Sequence, residues 1–294
     1  MHNDRVATLR HFHRTVTERV GALDEEYLAR PRPLAASRLL WEVGDGVDLR
    51  ELRDRLDLDS GYLTRLVRRL SDEGLVDVAP SAADARVRIV RPTEQGRVEL
   101  AALDRSSDAL VGSLLAPLNE RQRDQLVDAV ATVDRLLTAG LVAVDEVDPD
   151  SAAAQHCVER YFAELAERLE HGFDPAITGT ASGDQVRAPK GRFLVATLRH
   201  APIGCGGVKF FADRPAEIKR MWVAPTARGL GVGRRLLSEL EERARRAGAR
   251  SVRLDTNRAL REAIGMYIAN GYVEIDSFND EPFAHHWFEK QLDN

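Results

Sequence analysis

The chain has 294 residues, 44% of them hydrophobic and 30% charged, with a formal net charge of −5 and a mean hydropathy of −0.32. That length exceeds the usual ~100–200 residues of one domain, and no run of about 18 apolar residues exists to cross a membrane. Met1 to Phe12 is polar, unlike a secretion signal, and two cysteines, Cys157 and Cys205, cannot build a disulfide framework, so a cytoplasmic protein is expected.

Residues 1–140 read as helix-rich and hold none of the four lysines. A helix is expected over residues 4–29. Next comes a leucine-rich stretch, residues 49–75, that predicts two short helices, 48–56 and 60–73, the second opened by an Asp59/Ser60 cap and ended at Gly74. Such a pair, joined by a tight turn, makes a helix-turn-helix. On the second helix Leu63, Leu66, Val67 and Leu70 share the inward stripe. That leaves Ser60, Tyr62, Thr64, Arg65, Arg68 and Arg69 outside, a set suited to base edges and phosphates. Two strands, 75–79 and 86–92, predict a β-hairpin wing tipped by Asp84 and Arg86. Long helices follow over 93–115 and 119–139.

This order, with its Asp84-x-Arg86 tip and the Thr93-x-x-Gly96 start of the next helix, resembles the MarR family of winged-helix regulators. The resemblance implies a homodimer formed by the terminal helices, with Arg86 entering a minor groove, on a pseudo-palindromic operator DNA. Charge runs the other way: residues 1–140 carry 21 Arg against 24 Asp and Glu. The stretch 60–91 is locally basic, six Arg against four acids, so contact is expected to be local and salt-sensitive.

From Leu141 the pattern changes, and residues 141–294 are expected to form a second, α/β domain. A first strand opens at 141–144, Cys157 falls on a helix, and residues 179–190 form a flexible connection. A hairpin is expected from 192–198 and 206–211, with Cys205 as a small buried residue. A strand over 217–223 then runs into Arg228-Gly229-Leu230-Gly231-Val232-Gly233-Arg234, followed by a helix over 230–247. Glycines at a strand-to-helix turn leave free N–H groups for phosphate oxygens, and Arg228 and Arg234 add charge. A Walker loop would need Gly-Lys-Ser/Thr, and a dinucleotide fingerprint would need a third, correctly spaced glycine; neither is present.

The Arg-x-x-Gly-x-Gly order resembles the acetyl-CoA pyrophosphate loop of the GNAT N-acetyltransferases. So does the later Ala263-x-x-x-Tyr267-x-x-x-Gly271-Tyr272. The fold class expected is therefore a mainly α, MarR-like winged helix followed by an α/β GNAT (acyl-CoA N-acyltransferase) fold. The resemblance implies acetyl-CoA as cosubstrate, held by Met221, Trp222, Val223, residues 228–234 and Asn257, although Asn257 is equally suited to capping the next helix. It also implies Glu217 as general base and Tyr267 as proton donor to the CoA sulfur. The polar and aromatic tail 272–292 reads as a loop over the acceptor side, where Asn279, Asp280, Glu281, His285 and His286 are candidates to hold an amine or carboxylate. Adjacent His residues on a strand point to opposite faces, so no metal is expected.

Two functions stay open. One is a bifunctional transcriptional regulator and N-acetyltransferase acting on an amine of a small molecule or protein. The other is a MarR-type factor whose GNAT half senses acetyl-CoA or a metabolite without turnover. Keeping both Glu217 and Tyr267 favours the enzyme.

Overall fold

The computed structural model describes residues 2–22, 26–81, 84–170, 172–175, 177 and 183–292. The chain divides into two compact units, Met1–Asp128 and Ala129–Asn294.

In the first unit the expected single helix over 4–29 is broken. Helix α1 runs His2–Arg19 and ends at Gly21, whose φ of 63° no helix continues. A 3-10 turn at Tyr27–Ala29 follows, with Leu28 at φ 56°. Residues 23–25 of that expected helix lie outside the described residues. Helix α2, Leu34–Val43, was not anticipated, although Ala36, Leu39, Leu40 and Val43 are a helical stripe and all are buried.

Strand β1 (Val47–Asp48) leads into α3 (Leu49–Leu56), capped by Asp48, and α4 (Ser60–Asp72), capped by the Asp59 carboxylate at 2.8 Å from the Tyr62 N–H. The wing is β2 (Val76–Pro80) and β3 (Arg88–Pro92); with β1 they form an antiparallel sheet in the order β1-β3-β2. Residues 82–83 of its tip lie outside the described residues. Thr93 opens α5 (Glu94–Leu115): its hydroxyl donates to Gly74 O at 2.7 Å and accepts from Gly96 N at 3.0 Å, so the Thr-x-x-Gly motif ties wing to helix. Helix α6 spans Glu120–Ala139 and carries the division between the units. One core joins α2, α3, α4 and the wing. Beside it the buried Glu99 carboxylate of α5 pairs with Arg30 and Arg32.

The second unit is a seven-stranded sheet in the order β4-β5-β6-β7-β8-β10-β9. In chain order these are β4 (Val142–Glu146), helix α7 (Ala152–Arg168), β5 (Gly191–Leu198), β6 (Ala201–Lys209), β7 (Ala216–Val223), helix α8 (Val232–Arg246), β8 (Ser251–Thr256), helix α9 (Arg261–Ala269), β9 (Val273–Ile275) and β10 (His286–Gln291). Residues 179–182 of the expected flexible connection lie outside the described residues. Pairing is antiparallel throughout except between β7 and β8. The β5–β6 turn is tighter than expected, because Arg199 and His200 both take positive φ and β6 begins at Ala201. One core packs α8 and α9 against one sheet face, and a second packs α7 against the other, where Cys157 and Cys205 are fully buried.

A β-bulge sets up the functional region. Cys205 pairs with Trp222 but Gly207 pairs with Lys219, so one residue of β6, Gly206, faces two of β7, Arg220 and Met221. Arg220 sits at φ 57°. A Cβ on Gly206 would lie 2.7 Å from Met221 Sδ and 2.8 Å from Leu240 Cδ1, so glycine lets both side chains pack close opposite the extra residue. The bulge bends β7 away from β8. Their pairing holds only at Ala216↔Val252 and Glu217↔Arg253, and beyond it the strands diverge.

Candidate functional site

Two adjoining cavities lie along this divergence. The larger, about 540 Å³, is lined by Met221, Trp222 and Val223 of β7, by Arg228, Gly229 and residues 231–234 at the start of α8, and by α7 and α9. Past Glu217 the β8-facing edge of β7 has no strand partner, leaving backbone amides to meet an extended ligand. At one end stands the N-terminus of α8. Its cap residue, Gly231, offers no side-chain bond, and the first bond back to the Gly231 carbonyl comes from Arg235 N. Gly229 (φ 84°) and Gly231 (φ 78°) face open space where a Cβ would meet nothing within 4 Å. Uncapped N–H groups, a helix dipole and exposed arginines fit a diphosphate.

Arg228 is already engaged. Its Nη2 lies 2.6 Å from both carboxylate oxygens of Glu164 on α7. Glu164 also accepts from Trp222 Nε1 at 3.0 Å and from Arg168 at 3.0 Å. Burial pushes the Glu164 carboxyl up, but the hydrogen bonds from Arg228, Arg168 and Trp222 outweigh it and hold the pKa below the usual range.

The second cavity lies beside the first, and Tyr161, Leu165, Met221, Leu260, Ala263 and Tyr267 line both. Tyr267 is 5% exposed; burial, reinforced by Asp255, raises its phenol pKa and keeps it protonated through neutral pH. Around the second cavity stand Lys219, Arg220, Asp255 and Glu281, and a row of rings. Lys219 and Asp255 form a buried ion pair, and Asn279 donates to the same Asp255 oxygen at 3.2 Å. Glu281 is half-buried and has no ion-pair partner among the described residues; burial, then Asp255, raises its pKa.

Not every expected residue reaches a cavity. Glu217 is buried at the closed end of the divergence, its carboxylate 2.7 Å from Arg253 and 3.4 Å from Arg214, and it lines neither cavity. Leu230 packs against the α8-side core instead of the groove. Asn257 lines the second cavity, where it donates to Phe283 O at 2.7 Å and accepts from Ala259 N at 2.9 Å, so it pins the β9–β10 loop and the turn into α9. Asn279 holds Asp255 and accepts from Trp287 Nε1 at 2.8 Å. His286 sits 2.7 Å from Glu274, and His285 is exposed; neither lines either of these two cavities. Sequence reasoning left out Glu164, Lys219 and Asp255, and it gave no role to the rings.

In the first unit α4 presents Ser60, Thr64, Arg65, Arg68 and Arg69 to solvent, while Tyr62 is half-buried against the core. The Arg65 guanidinium lies 5.6 Å from the Tyr62 ring centre, and Arg68 and Arg69 lean on Asp72 and Glu73. Arg86 is 94% exposed at the wing tip, with its backbone N–H fixed by Asp84 at 2.9 Å. Val6, Leu9, Phe12 and Val16 form an exposed apolar stripe on α1, and Val127, Val130, Leu136 and Leu137 are exposed on α6. No helix among the described residues is long and apolar enough to cross a membrane.

Comparison with known proteins matches residues 156–272 to the acetyltransferase (GNAT) family and residues 33–87 to the MarR family. An IAA acetyltransferase from Azospirillum brasilense is 38% identical over 91 residues, 31% of this chain and 60% of that protein. An HTH-type transcriptional regulator of Bacillus subtilis, YdgJ, is 26% identical over 87 residues, 30% of this chain and 53% of its own length. The chain therefore spans little more than half the length of these relatives. A GNAT-family acetyltransferase structure from Staphylococcus aureus aligns with a TM-score of 0.45 at 16% identity, covering 52% of this chain and 99% of that one.

Proposed function

We propose that this chain, a MarR-family winged helix followed by a GNAT-family acetyltransferase domain, is a DNA-binding regulator that also transfers an acetyl group from acetyl-CoA to an amine. The observation that carries the transferase reading is the pair of cavities meeting at Tyr267, with an uncapped helix N-terminus lining one and Glu281, a carboxylate with no ion pair among the described residues, lining the other.

Acetyl-CoA, when bound, supplies an activated thioester whose acetyl carbon an amine attacks and whose thiolate leaves. Met221 to Val223 offer the free strand edge to its amide arm, and Gly229 to Arg234 offer N–H groups and charge to its phosphates. Glu281 takes the proton that the amine nitrogen sheds as the new N–C bond forms, and Tyr267 gives its phenolic proton to the leaving sulfur. A carboxyl pushed up by burial is a better base near neutral pH than an exposed one, and a phenol kept protonated is a ready acid. This assigns the base to Glu281 in place of Glu217, whose carboxylate is committed to two arginines.

For the first unit, the exposed arginines of α4 and Arg86 support contact with operator DNA, and the apolar stripe of α1 supports a homodimer that covers it. A cytoplasmic location follows from DNA and acetyl-CoA as partners. We place the functional boundary at residues 140/141, where α6 gives way to β4.

The test is acceptor-dependent release of CoA thiol by the full chain, alongside selection from random DNA at low salt. Thiol release that rises with added amine, and enrichment of a pseudo-palindrome, are expected. Acetyl-CoA binding with no amine-dependent release would leave a sensor, and no enriched DNA would remove the regulator role.

A further inference from the structure

The second cavity has a composition that selects among amines. Tyr161 and Phe162 on α7, Phe173 after it and Phe283 on the β9–β10 loop form a continuous row, with successive ring centres 5.6, 5.3 and 5.0 Å apart. The four rings come from three separate segments, and all are half-buried, so each keeps part of its face exposed. Beside this row the lining carries two cations, Lys219 and Arg220, and two carboxylates, Asp255 and Glu281. Lys219 and Asp255 are paired with side chains 8% and 10% exposed, and only one of the three Lys219 ammonium protons is needed for that pair.

We infer that the acceptor is an α-amino acid with an aromatic side chain, its ring against the Phe162–Phe173–Phe283 row, its carboxylate on Lys219 and its amine at Glu281. The inference rests on the acetyltransferase reading. The charge balance argues against a polyamine, whose extra cations would face Lys219 and Arg220. The rings argue against a small aliphatic amine, which would leave them wet. A lysine side chain of a protein brings no carboxylate for Lys219. The product is then the N-acetylated amino acid: the amine loses a proton to Glu281, the N–C bond forms, the C–S bond breaks, and the thiol leaves carrying the Tyr267 proton.

The experiment offers the full chain acetyl-CoA with L-phenylalanine, L-tryptophan, L-leucine, phenethylamine, spermidine and a lysine-containing peptide, reading thiol release and product mass. Calorimetry of L-phenylalanine with and without CoA gives binding apart from turnover. We expect kcat/KM for the aromatic amino acids to exceed that for phenethylamine and L-leucine by about tenfold or more, the worth of one charged hydrogen bond or one buried ring. Lys219→Met should raise KM for L-phenylalanine about tenfold relative to KM for phenethylamine, which has no carboxylate to lose. Because losing Lys219 strands Asp255, Phe173→Ala serves as a second variant and should erase the preference for phenylalanine over leucine. Equal or better use of phenethylamine, leucine, spermidine or the peptide would overturn the inference while leaving acetyl transfer standing. Release with no amine at all would overturn the transferase reading itself.

Discussion

Arg228 Nη2 sits 2.6 Å from each carboxylate oxygen of Glu164, so the arginine of the glycine-rich loop is held by a helix on the other side of the groove. An anionic cofactor must compete with that carboxylate for Arg228, and Glu164 itself repels the incoming phosphates. Glu164→Gln keeps an acceptor for Trp222 Nε1 while removing both effects. Acetyl-CoA should bind about three- to tenfold tighter by calorimetry, with a steeper salt dependence as Arg228 turns to the phosphates. Weaker binding would mean that Glu164 serves mainly to aim Arg228.

The glycines of the loop divide by role. At Gly231 a valine meets the strain of φ 78°, worth about 1–2 kcal/mol, and puts bulk where the phosphates are expected. At Gly233 an added Cβ would lie 2.9 Å from Met266 Sδ, so this glycine sets the approach of α9 to α8. Gly231→Val should lower acetyl-CoA affinity more than tenfold. Gly233→Ala, where the flexible thioether can move, should lower the melting temperature slightly and leave affinity nearly unchanged.

Much of the second unit was legible because its two motifs mark fixed points. The Arg228–Gly233 turn anchors β7 and α8 within a residue or two of where they lie, and the Ala263/Tyr267 spacing falls on α9. The bulge was not legible. Glu217 to Val223 carries no glycine or proline to mark it, and the residue that accommodates it, Gly206, is on the neighbouring strand. The family resemblance therefore implied Glu217, which lies where β7 and β8 still pair. Glu281 was legible as an acceptor-side candidate in the tail, whereas the four rings meet only through tertiary contact and leave no pattern in the sequence. The loss of α2 was different, since its stripe of Ala36, Leu39, Leu40 and Val43 was there to be read.

Glu99 makes the first unit acid-sensitive. Hydrogen bonding from Arg30, joined by both arginine charges, outweighs burial and holds its pKa below the ordinary ~4.3. That stabilisation is fully present above the unfolded value and is lost as pH falls through the lower folded one. Glu99→Ala also takes one of two carboxylates from the buried Arg32, leaving Glu73 at 3.1 Å, at a cost of about 1–3 kcal/mol. Hydrogen exchange on the full chain should show α2 and α5 amides losing protection in the variant at neutral pH. Unchanged protection would mean the arginines find water instead.

On DNA, the proposed contact of the wing tip with backbone or minor groove predicts that Arg86→Ala weakens binding with little change in sequence preference. Arg65→Ala and Arg68→Ala, on the exposed face of α4, should alter the preference itself. Selection with each variant separates the two outcomes, and an altered preference in Arg86→Ala alone would reverse the assignment.

On the proposed reading Glu281, in the second cavity, moves the proton, and Glu217, the base that the family resemblance implies, does not. The direct test compares Glu281→Gln with Glu217→Gln at saturating acetyl-CoA, with cofactor affinity and folded fraction measured for each. Glu281→Gln should bind acetyl-CoA normally and lose about 10²–10⁴-fold in turnover. It should also lose the wild-type fall in rate at acid pH, which begins above the ordinary carboxylate range. Glu217→Gln should keep turnover near wild type per folded molecule. The opposite pattern, with Glu217→Gln dead and Glu281→Gln active, would contradict the account.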